Sequence, residues 1–360
     1  DVARLAGVSP AVVSVVLNEK RKGNVRVSPQ TEQRVRAAIR SLGYVPNPVA
    51  RSLAKGQNRL LGVFTYEAIF PLQYRDFYYP FVMGIEQEAE QRGYDLLLFT
   101  RAAAGGGRRQ IYQDGVNCLQ LADGAILLGL GENKRHLRRL LRDGYRFVYV
   151  GRREVRGSSI SYVAADYARA TAEIVEHLIA LGHRRIAYLG RPEITEAVED
   201  RETGYRTALK RLKTSPALVH RASPVAPATV SRLLEEGATV CLAEDDRIAR
   251  QLDEAIRVLG KRVPDDLSYA VLGDPLVTSD GQPDWACFKI PREDMGRQAV
   301  RILIDLISSP NRDPLQVTMP CTFVPGGTIG PPPTSREIGM RLVPPKYTPR
   351  RRQQQKPKEG

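Results

Sequence analysis

Hydrophobic positions recur with a helical period at the start of the chain. The period predicts three helices, over residues 1–6, 10–18 and 29–42. Gly7 and Gly43 are suited to end the first and third helices, and Ser9 and Ser28 are suited to cap the second and third. Short helices with a tight glycine turn between the first two are typical of a helix-turn-helix domain.

From residue 61 onward, short apolar runs alternate with amphipathic stretches. The predicted strands cover residues 61–65, 94–99, 125–128, 147–150, 186–189, 240–242 and 269–272. The predicted helices cover residues 81–92, 108–121, 134–142, 167–181, 201–212, 227–235, 246–259 and 292–307. Alternation of strands and helices is typical of parallel sheets with right-handed crossovers. So many units predict an α/β body of two parallel-sheet lobes, with a ligand cleft between their strand ends.

Charge divides the chain into segments that the hydrophobic pattern alone does not separate. The formal net charge is +14, and residues 1–60 carry 11 basic and 3 acidic side chains. Residues 331–360 carry 8 basic and 2 acidic side chains, whereas the residues between hold 35 of each sign. The basic ends are therefore expected to face polyanions, and the neutral body is not.

These patterns predict four segments along the chain. They are a helix-turn-helix headpiece (1–46), a short helix with its linker (47–59), a two-lobed body with a ligand cleft (60–330) and a basic tail (331–360). The tail is rich in proline, arginine and glutamine, and we expect it to be disordered.

Several classes of protein are excluded by what the sequence lacks. The four cysteines lie far apart, which favours neither a disulfide framework nor a zinc site and fits a reducing cytosol. No apolar stretch approaches the roughly 20 residues that span a bilayer, and no basic-then-apolar leader is present. The four histidines show no metal-ligand spacing and no triad. We therefore expect no enzyme activity, no metal and no cofactor.

The excess of positive charge in the headpiece allows two interpretations. A small helical cap could carry solvated lysines and arginines without any partner. The predicted second helix, however, exposes the small side chains of Ala11 and Ser14, which permit close approach to a nucleic-acid groove. Together with the turn geometry, this favours nucleic-acid binding.

Three runs of residues in the headpiece form a pattern that matches a known protein family. They are Asp1-Val-Ala-x-x-Ala-Gly-Val-Ser9, Val13-Ser14-x-Val16-Leu17-Asn18 and Leu42-Gly43-Tyr44-x-Pro46-Asn47. The runs closely resemble the DNA-binding headpiece of the LacI/GalR repressor family. The resemblance implies that the second helix enters the major groove of double-stranded operator DNA. The DNA-binding residues that it implies in this segment are Ser9, Pro10, Ala11, Ser14, Val15 and Asn18.

Two positions of the second helix depart from the family. Val12 stands where a threonine is common, and Val15 stands where members often carry arginine or another polar residue. Valine cannot make the bidentate contact that reads guanine, but it can contact a thymine methyl group. We therefore predict an A·T pair at the base position that faces Val15.

A second motif follows the headpiece. Asn47 and Pro48 precede a predicted helix over residues 49–54, too short to be stable alone in water. The resemblance implies a hinge helix in which Leu53, with Ala50 and Arg51 beside it, enters the minor groove. Such a wedge requires two chains, so a homodimer on a roughly palindromic operator is implied. The alternative is an ordinary linker helix with Leu53 packed on the body.

The body resembles the effector domain of the same family, which has a periplasmic-binding-protein-like fold. The matching runs are Leu181-Gly182-His183-Arg184-Arg185-Ile186-Ala187, Arg201-x-x-Gly204-Tyr205 and Asp265-Asp266-Leu267-Ser268. The resemblance implies that Arg201, Asp245 and Asp274 bind the effector. Guanidinium and carboxylate groups suit the hydroxyls of a carbohydrate, and aromatic rings suit its C–H faces. The aromatic candidates are Tyr66, Phe70 and Trp285.

Each of these assignments has an alternative. Arg201 could pair only with neighbouring acidic residues, and Trp285 could belong to a core or an interface. Gly151-Arg152 stands where many sugar-binding members carry aspartate, which leaves the identity of the effector open.

The sequence thus predicts a ligand-responsive transcription regulator, a repressor that works in the cytoplasm on the nucleoid. A sugar-binding transport or sensor protein is the alternative from another class, and the basic headpiece argues against it. A sugar-active enzyme would need a catalytic carboxylate pair or nucleophile that the sequence does not display.

Overall fold

The structure is a computed structural model that describes most of the 360 residues. The described ranges are 1–17, 27–44, 58–67, 72–100, 109–129, 133–221, 224–275, 284–309 and 311–333. The predicted hinge helix and nearly all of the predicted tail therefore lie outside the described residues.

Three helices form the headpiece, namely α1 (Val2–Ala6), α2 (Pro10–Leu17) and α3 (Pro29–Ser41). The first ends because Gly7 takes a left-handed conformation with a φ of 63°, which glycine adopts without strain. Ser28 caps α3, since its hydroxyl accepts a hydrogen bond from the backbone N–H of Thr31 at 3.2 Å. The apolar side chains converge on Val35, which is fully buried. The predicted helix-turn-helix is confirmed.

The first α/β lobe, called the N lobe here, follows the headpiece. Its elements in chain order are β1 (Leu60–Thr65), α4 (Leu72–Gln91), β2 (Asp95–Phe99), β3 (Tyr112–Gln113), β4 (Val116–Asn117), β5 (Gly124–Leu128), α5 (Lys134–Arg142), β6 (Phe147–Val150) and β7 (Tyr162–Ala165). Strands β3 and β4 form a small hairpin outside the main sheet.

The second lobe, called the C lobe, comes next along the chain. Its elements are α6 (Tyr167–Ala180), β8 (Ile186–Gly190), α7 (Glu196–Arg211), β9 (Leu218–Arg221), α8 (Pro227–Glu235), β10 (Val240–Ala243), α9 (Asp246–Val258), β11 (Ser268–Val271) and β12 (Ala286–Lys289). The chain then returns to the N lobe with α10 (Arg292–Ser308) and β13 (Gln316–Met319), and to the C lobe with β14 (Thr322–Val324).

Each lobe is built on one six-stranded sheet. The order in the N lobe is β13-β7-β6-β5-β1-β2, with all neighbours parallel. The order in the C lobe is β14-β12-β11-β10-β8-β9, in which only β14 runs antiparallel. The central strands β5, β6, β8, β10 and β11 are buried throughout, as expected when helices cover both faces. The predicted pair of parallel-sheet lobes is confirmed.

Three chain crossings connect the lobes. They lie between β7 and α6, between β12 and α10, and between β13 and β14. The α10 helix returns to pack closely on α4, where glycines replace side chains at the contact. A Cβ atom added at Gly84 would lie 1.9 Å from the carbonyl oxygen of Glu293, and one added at Gly296 would lie 2.3 Å from that of Phe81. Only glycine fits at these two positions.

The helix predicted over residues 108–121 is wrong. The described part of this segment forms the β3–β4 hairpin and turns. Asp114 and Gly115 have φ angles of 48° and 80°, the left-handed pair that a two-residue hairpin turn requires. The Asp-Gly dipeptide is itself a hairpin signal, and it outweighed the helical spacing of the apolar residues.

Other differences concern elements that the hydrophobic pattern did not reveal. Strands β7, β9, β12, β13 and β14 were not predicted, and α4 and α7 begin earlier than the predicted helices over 81–92 and 201–212. The remaining body strands and helices agree with prediction to within about two residues, which is the usual uncertainty of element boundaries.

Candidate nucleic-acid interface and effector cleft

The α2 helix divides its side chains between the headpiece core and solvent. Val13 and Val16 are buried, whereas Pro10, Ala11 and Ser14 are exposed. Small side chains on the open face of the second helix leave room for a groove floor to approach the backbone. The geometry of α2 therefore suits the role that its sequence implies.

Two further predicted residues flank this face. Ser9 is exposed, and its hydroxyl lies 3.4 Å from the backbone N–H of Val12, so it caps α2. Val15 is half-buried, which leaves part of its side chain available for an apolar contact. Asn18, Ala50, Arg51 and Leu53 lie outside the described residues.

Basic side chains surround the headpiece core. Arg34 and Arg40 are exposed on α3, and Arg36 is exposed but forms an ion pair with Glu32 at 2.8 Å. Exposed guanidinium groups of this kind bind phosphates through charge-assisted hydrogen bonds. The described headpiece thus combines a helix with small exposed residues and a positively charged surface.

The second candidate site is the interlobe cleft. It lies where the carboxyl ends of the N-lobe strands meet α7 of the C lobe. Its lining residues are Phe77, Tyr78, Phe81, Leu128, Gly129, Val150, Gly151, Arg152, Arg153, Ala164, Ala165, Tyr167, Thr195, Ala197, Asp200 and Met295. The free volume is about 60 Å³, the space of about two water molecules. Ligand sites usually measure about 300–1,000 Å³, so the lobes are closed on each other here.

Arg152 lines this cleft and links the two lobes. Its Nε donates to Asp200 at 3.0 Å, and Nη2 lies 3.3 Å from a carboxylate oxygen of Glu199. Nη2 also donates to the carbonyl oxygen of Glu196 at 3.2 Å, and Nη1 pairs with Glu154. Burial lowers the pKa of Arg152, but Asp200 and Glu154 raise it more, so the net shift is upward. The guanidinium group is therefore a permanent cation between the lobes.

A second link lies beside the first. Glu196, at the start of α7, accepts hydrogen bonds from the Lys134 ammonium group and from the backbone N–H of Glu154, both at 3.2 Å. Burial raises the pKa of Glu196, whereas these hydrogen bonds and the nearby Arg153 lower it, and the net shift is downward. The carboxylate thus stays charged and holds two parts of the N lobe against the C lobe.

Arg201 lies at the rim of the cleft. Its guanidinium carbon is 3.7 Å from the ring centroid of Tyr167, which lines the cleft. Its Nε donates to the carbonyl oxygen of Leu272 at 2.7 Å, and Nη1 donates to that of Ala197 at 2.9 Å. The hydrogen bonds of Arg201 therefore go to neutral carbonyls rather than to the neighbouring acids of its own helix, which was the alternative.

Asp274 is brought to the same rim through Arg292. The Arg292 Nη1 donates to an Asp274 carboxylate oxygen at 2.8 Å, and its guanidinium carbon lies 5.0 Å from the ring centroid of Phe77. Phe77 lines the cleft. The sequence did not single out Arg292, because its burial depends on a ring that is distant along the chain.

Asp245 takes part in a network at the carboxyl end of β10. It caps α9 by accepting from the backbone N–H of Ile248 at 2.9 Å and pairs with Arg191 at 3.1 Å. Glu244 beside it is 1% exposed and accepts hydrogen bonds from Arg191 and from the Tyr188 hydroxyl, both at 3.2 Å. Burial raises the pKa of Glu244, and nearby arginines only partly oppose the shift. A charged residue directly after an apolar strand was the signal that could have identified Glu244.

The two aromatic candidates that the structure describes, Tyr66 and Trp285, do not line the cleft. Tyr66 is 3% exposed and packs edge-on against Phe64 in the N-lobe core. Trp285 is 8% exposed and packs against Tyr269 at the amino end of the C-lobe strands, whereas the cleft lies at the carboxyl ends. Trp285 thus belongs to a core, the alternative that the sequence left open. Phe70 lies outside the described residues, and the rings that line the cleft are those of Phe77, Tyr78, Phe81 and Tyr167.

Two other kinds of feature, a metal-ion cluster and a membrane-spanning helix, are absent from the described residues. Within them, no group of three or more histidine, cysteine or carboxylate side chains is arranged to hold a metal ion. In the same part of the chain, none of the helices combines the length and the apolar character that a bilayer crossing requires.

Comparison with known proteins finds matches to both the headpiece and the body. Residues 1–47 match the family described as bacterial regulatory proteins, lacI family, and residues 175–329 match the periplasmic binding protein-like domain. The HTH-type transcriptional regulator CelR of Thermobifida fusca is 31% identical over 329 residues, which cover 88% of this chain and 94% of CelR. Catabolite control protein A of Staphylococcus xylosus is 28% identical over 326 residues, which cover 89% and 95%.

Solved structures give the same result. The complex of CelR with cellobiose matches with a TM-score of 0.61 at 27% identity, covering 91% of this chain and 98% of that chain. The lac repressor dimer bound to operator and ONPF matches with a TM-score of 0.66 at 25% identity, covering 91% and 97%. These proteins are transcriptional regulators rather than enzymes, and the similarity spans headpiece and body together. The chain therefore belongs to the LacI family of bacterial transcriptional regulators.

Proposed function

We propose that this regulator represses transcription by binding a roughly palindromic operator as a dimer. The observation that carries the proposal is the open face of α2, with its small side chains, on a positively charged headpiece. The operator-bound lac repressor dimer, at 25% identity, supports a two-fold arrangement. In this arrangement Pro10, Ala11 and Val15 face base edges, and Ser14 contacts a phosphate.

The proposal also includes residues outside the described parts of the chain, which are assigned only by the resemblance to the family. Asn18 would hold a further phosphate, and Leu53, with Ala50 and Arg51, would enter the minor groove from paired hinge helices. Pairing of the hinge helices requires two bodies at a fixed separation. A change in the lobes could therefore alter DNA binding without touching the headpiece.

We further propose that a carbohydrate effector binds in the interlobe cleft. Arg201 and Asp274 at the rim supply a guanidinium fork and a carboxylate for hydroxyl groups, and Tyr167 and Phe77 supply ring faces. Because CelR has been solved with cellobiose, cellobiose is the first ligand to test. Because Arg152 lines the narrow cleft and bridges the lobes, we expect an entering effector to move this side chain and to break its links to Asp200 and Glu199.

The deciding experiment is binding-site selection by the intact chain on random duplex DNA. We expect enrichment of a two-fold symmetric site, and we expect cellobiose or another member of a sugar and nucleoside panel to change the enrichment. A chain that enriches no site would overturn the proposal.

A pair of variants makes the selection specific to α2. Ala11→Asp places a carboxylate in the first turn of α2, where it suits the helix dipole but repels DNA, so site enrichment should be lost. Ala37→Asp makes the same substitution on the exposed part of α3 and serves as the control. Equal loss in both variants would show that charge alone, and not the α2 face, governs binding.

A further inference from the structure

A second concave site lies on the N lobe and shares no lining residue with the interlobe cleft. It has a volume of about 970 Å³ and is formed by α5, by Tyr112 on β3 and by Ser158 in the loop before β7. We call it the arginine pocket. The volume falls within the range of small-molecule sites.

The α5 helix gives this pocket its charge. Its sequence from residue 134 is Lys-Arg-His-Leu-Arg-Arg-Leu-Leu-Arg, and two of its three leucines, Leu137 and Leu140, are buried in the N-lobe core. Arg135, Arg138 and Arg142 are separated by three and four residues, so they share one helix face, and all three are exposed. Each of them lines the pocket.

Within the part of the chain that the structure describes, Arg135, Arg138 and Arg142 form no ion pair with a carboxylate. Asp143, which follows α5, accepts a hydrogen bond from the Tyr112 hydroxyl at 2.7 Å and pairs with Arg139 at 3.7 Å. Like charges three and four residues apart destabilise a helix. An anion bound in the pocket would remove this repulsion.

A histidine on the same helix adds an independent observation. The Nδ1 atom of His136 is buried and has no hydrogen-bond partner among the described residues. Burial lowers the pKa of His136, and the neighbouring Arg135 and Arg139 lower it further, while the Tyr112 ring packs edge-on at 5.5 Å. A buried ring nitrogen without a partner, beside uncompensated cations, is a group that a bound acidic ligand could satisfy.

We propose that the arginine pocket is a second ligand site, which takes a small polyanion with two or more phosphate groups. Guanidinium forks match phosphate oxygens, and the face from Arg135 to Arg142 extends about 10 Å along the helix, longer than one phosphate. The concave wall that Tyr112 and Ser158 add favours a compact ligand over a DNA duplex. This site goes beyond the repressor proposed above and does not depend on it.

Isothermal titration calorimetry of the intact chain with sodium tripolyphosphate, at constant ionic strength, tests the proposal. We expect saturable binding that is at least tenfold tighter than that of orthophosphate. The triple variant Arg135→Gln, Arg138→Gln, Arg142→Gln should weaken tripolyphosphate binding at least tenfold. A control with the same charge change on exposed C-lobe positions, Lys210→Gln, Arg247→Gln and Arg257→Gln, should leave it unchanged.

A second readout separates a defined site from diffuse attraction. Saturation with tripolyphosphate should raise the pKa of His136, followed by NMR titration of its ring protons, because a nearby anion stabilises the imidazolium. Absence of binding, or equal weakening in both triple variants, would overturn the proposal. A triple α5 variant that loses operator affinity while the intact chain binds no tripolyphosphate would also overturn it, because the surface would then be a DNA contact.

Discussion

Two arginines near the cleft combine a contact to an aromatic ring with hydrogen bonds to oxygen atoms. Arg201 stacks on Tyr167 and Arg292 on Phe77, so their planar groups are held while their N–H forks reach oxygen atoms. The sequence could predict Arg201, because it lies in a recognisable run. It could not predict Arg292 or Arg152, since their burial depends on partners from other elements. The same limit explains Trp285, whose place in the core is set by Tyr269 on a neighbouring strand.

Val15 gives a residue-scale prediction about DNA. Changing Val15 to Arg should shift the preferred pair at one position of each half-site from A·T to G·C, because arginine makes a bidentate contact with guanine worth about 1–3 kcal/mol. Site selection on random DNA measures the shift. Gln33→Arg adds the same charge on the exposed part of α3 and should leave the preferred base unchanged. An unaltered base preference in the Val15→Arg variant would contradict the assignment of Val15 to a base edge.

His183 gives a residue-scale prediction about pH. It is fully buried, with ring nitrogens 2.8 Å from the Thr239 hydroxyl and from the carbonyl oxygen of Gly330, and burial lowers its pKa below the usual 6.5. As the pH falls below about 6.5, the unfolded chain takes up a proton that folded His183 does not, so stability decreases. Each unit of pKa difference corresponds to about 1.4 kcal/mol.

Urea unfolding at pH 7.5 and 5.5 measures this loss. His183→Gln should show a smaller difference between the two pH values than the unmodified chain, although its stability at pH 7.5 is lower because two buried hydrogen bonds are disturbed. His177→Gln makes the same substitution at a partly exposed site and serves as the comparison. If both variants retain the full pH dependence, other groups cause it.

At the scale of elements, the errors of prediction have identifiable causes. Pro80 lies inside α4, where the sequence favours a break, but close packing at Gly84 and Gly296 holds the helix against α10. Strand β13 alternates exposed and half-buried residues and gives no apolar run, because it forms a sheet edge. Local patterns therefore predicted the strands at the centre of each sheet and the edge strand β2. They missed β7 and β12, which lie next to an edge, and the edge strands β9, β13 and β14, because these strands depend on pairing with residues distant in the chain.

The contacts that Arg152, in the loop after β6, makes with α7 lead to a prediction at the scale of elements. Arg152→Ala removes a side chain that bridges the lobes and lines the cleft, so the ligand-free chain should populate a more open arrangement. Small-angle X-ray scattering should show a larger radius of gyration. Cellobiose, if it is the effector, should bind roughly tenfold tighter, since no side chain has to be displaced.

Arg169→Ala provides the matched control for this variant. Arg169 lies on α6 of the C lobe, is exposed and, among the residues that the structure describes, forms its ion pair with Glu173 on the same helix at 2.8 Å. Its substitution should alter neither the radius of gyration nor ligand affinity. An Arg152→Ala chain with unchanged dimensions would show that Arg152 does not hold the lobes together.

Across the whole molecule, the net charge is distributed unevenly along the chain. The net +14 is carried by the two ends, and the body that contains the cleft is neutral overall. The sequence predicted this division and the two-lobed fold, because both follow from patterns summed over many residues. It could not predict that the lobes are closed, since closure rests on a few contacts such as Lys134 with Glu196.

The affinity for DNA should depend on salt concentration much more strongly than the affinity for a sugar. Operator affinity is expected to fall by about 10³-fold or more between 50 and 200 mM salt, because phosphate contacts release counterions. Binding of an uncharged sugar in the cleft should change less than about twofold over the same range. Fluorescence anisotropy with labelled operator and calorimetry with sugar measure the two effects. Similar salt dependence for both ligands would contradict the separation.

The two sheets share one further property, which concerns the order of synthesis. Strand β13 is the last member of the N-lobe sheet and β14 the last of the C-lobe sheet, and both come from residues 316–324. A ribosome that adds about 5–20 residues per second needs roughly 15–50 s from β1 to β14. Neither lobe can complete its sheet before then, whereas the headpiece helices are contiguous and emerge first. In a growing chain, the part that reads DNA is finished well before the part that senses a ligand.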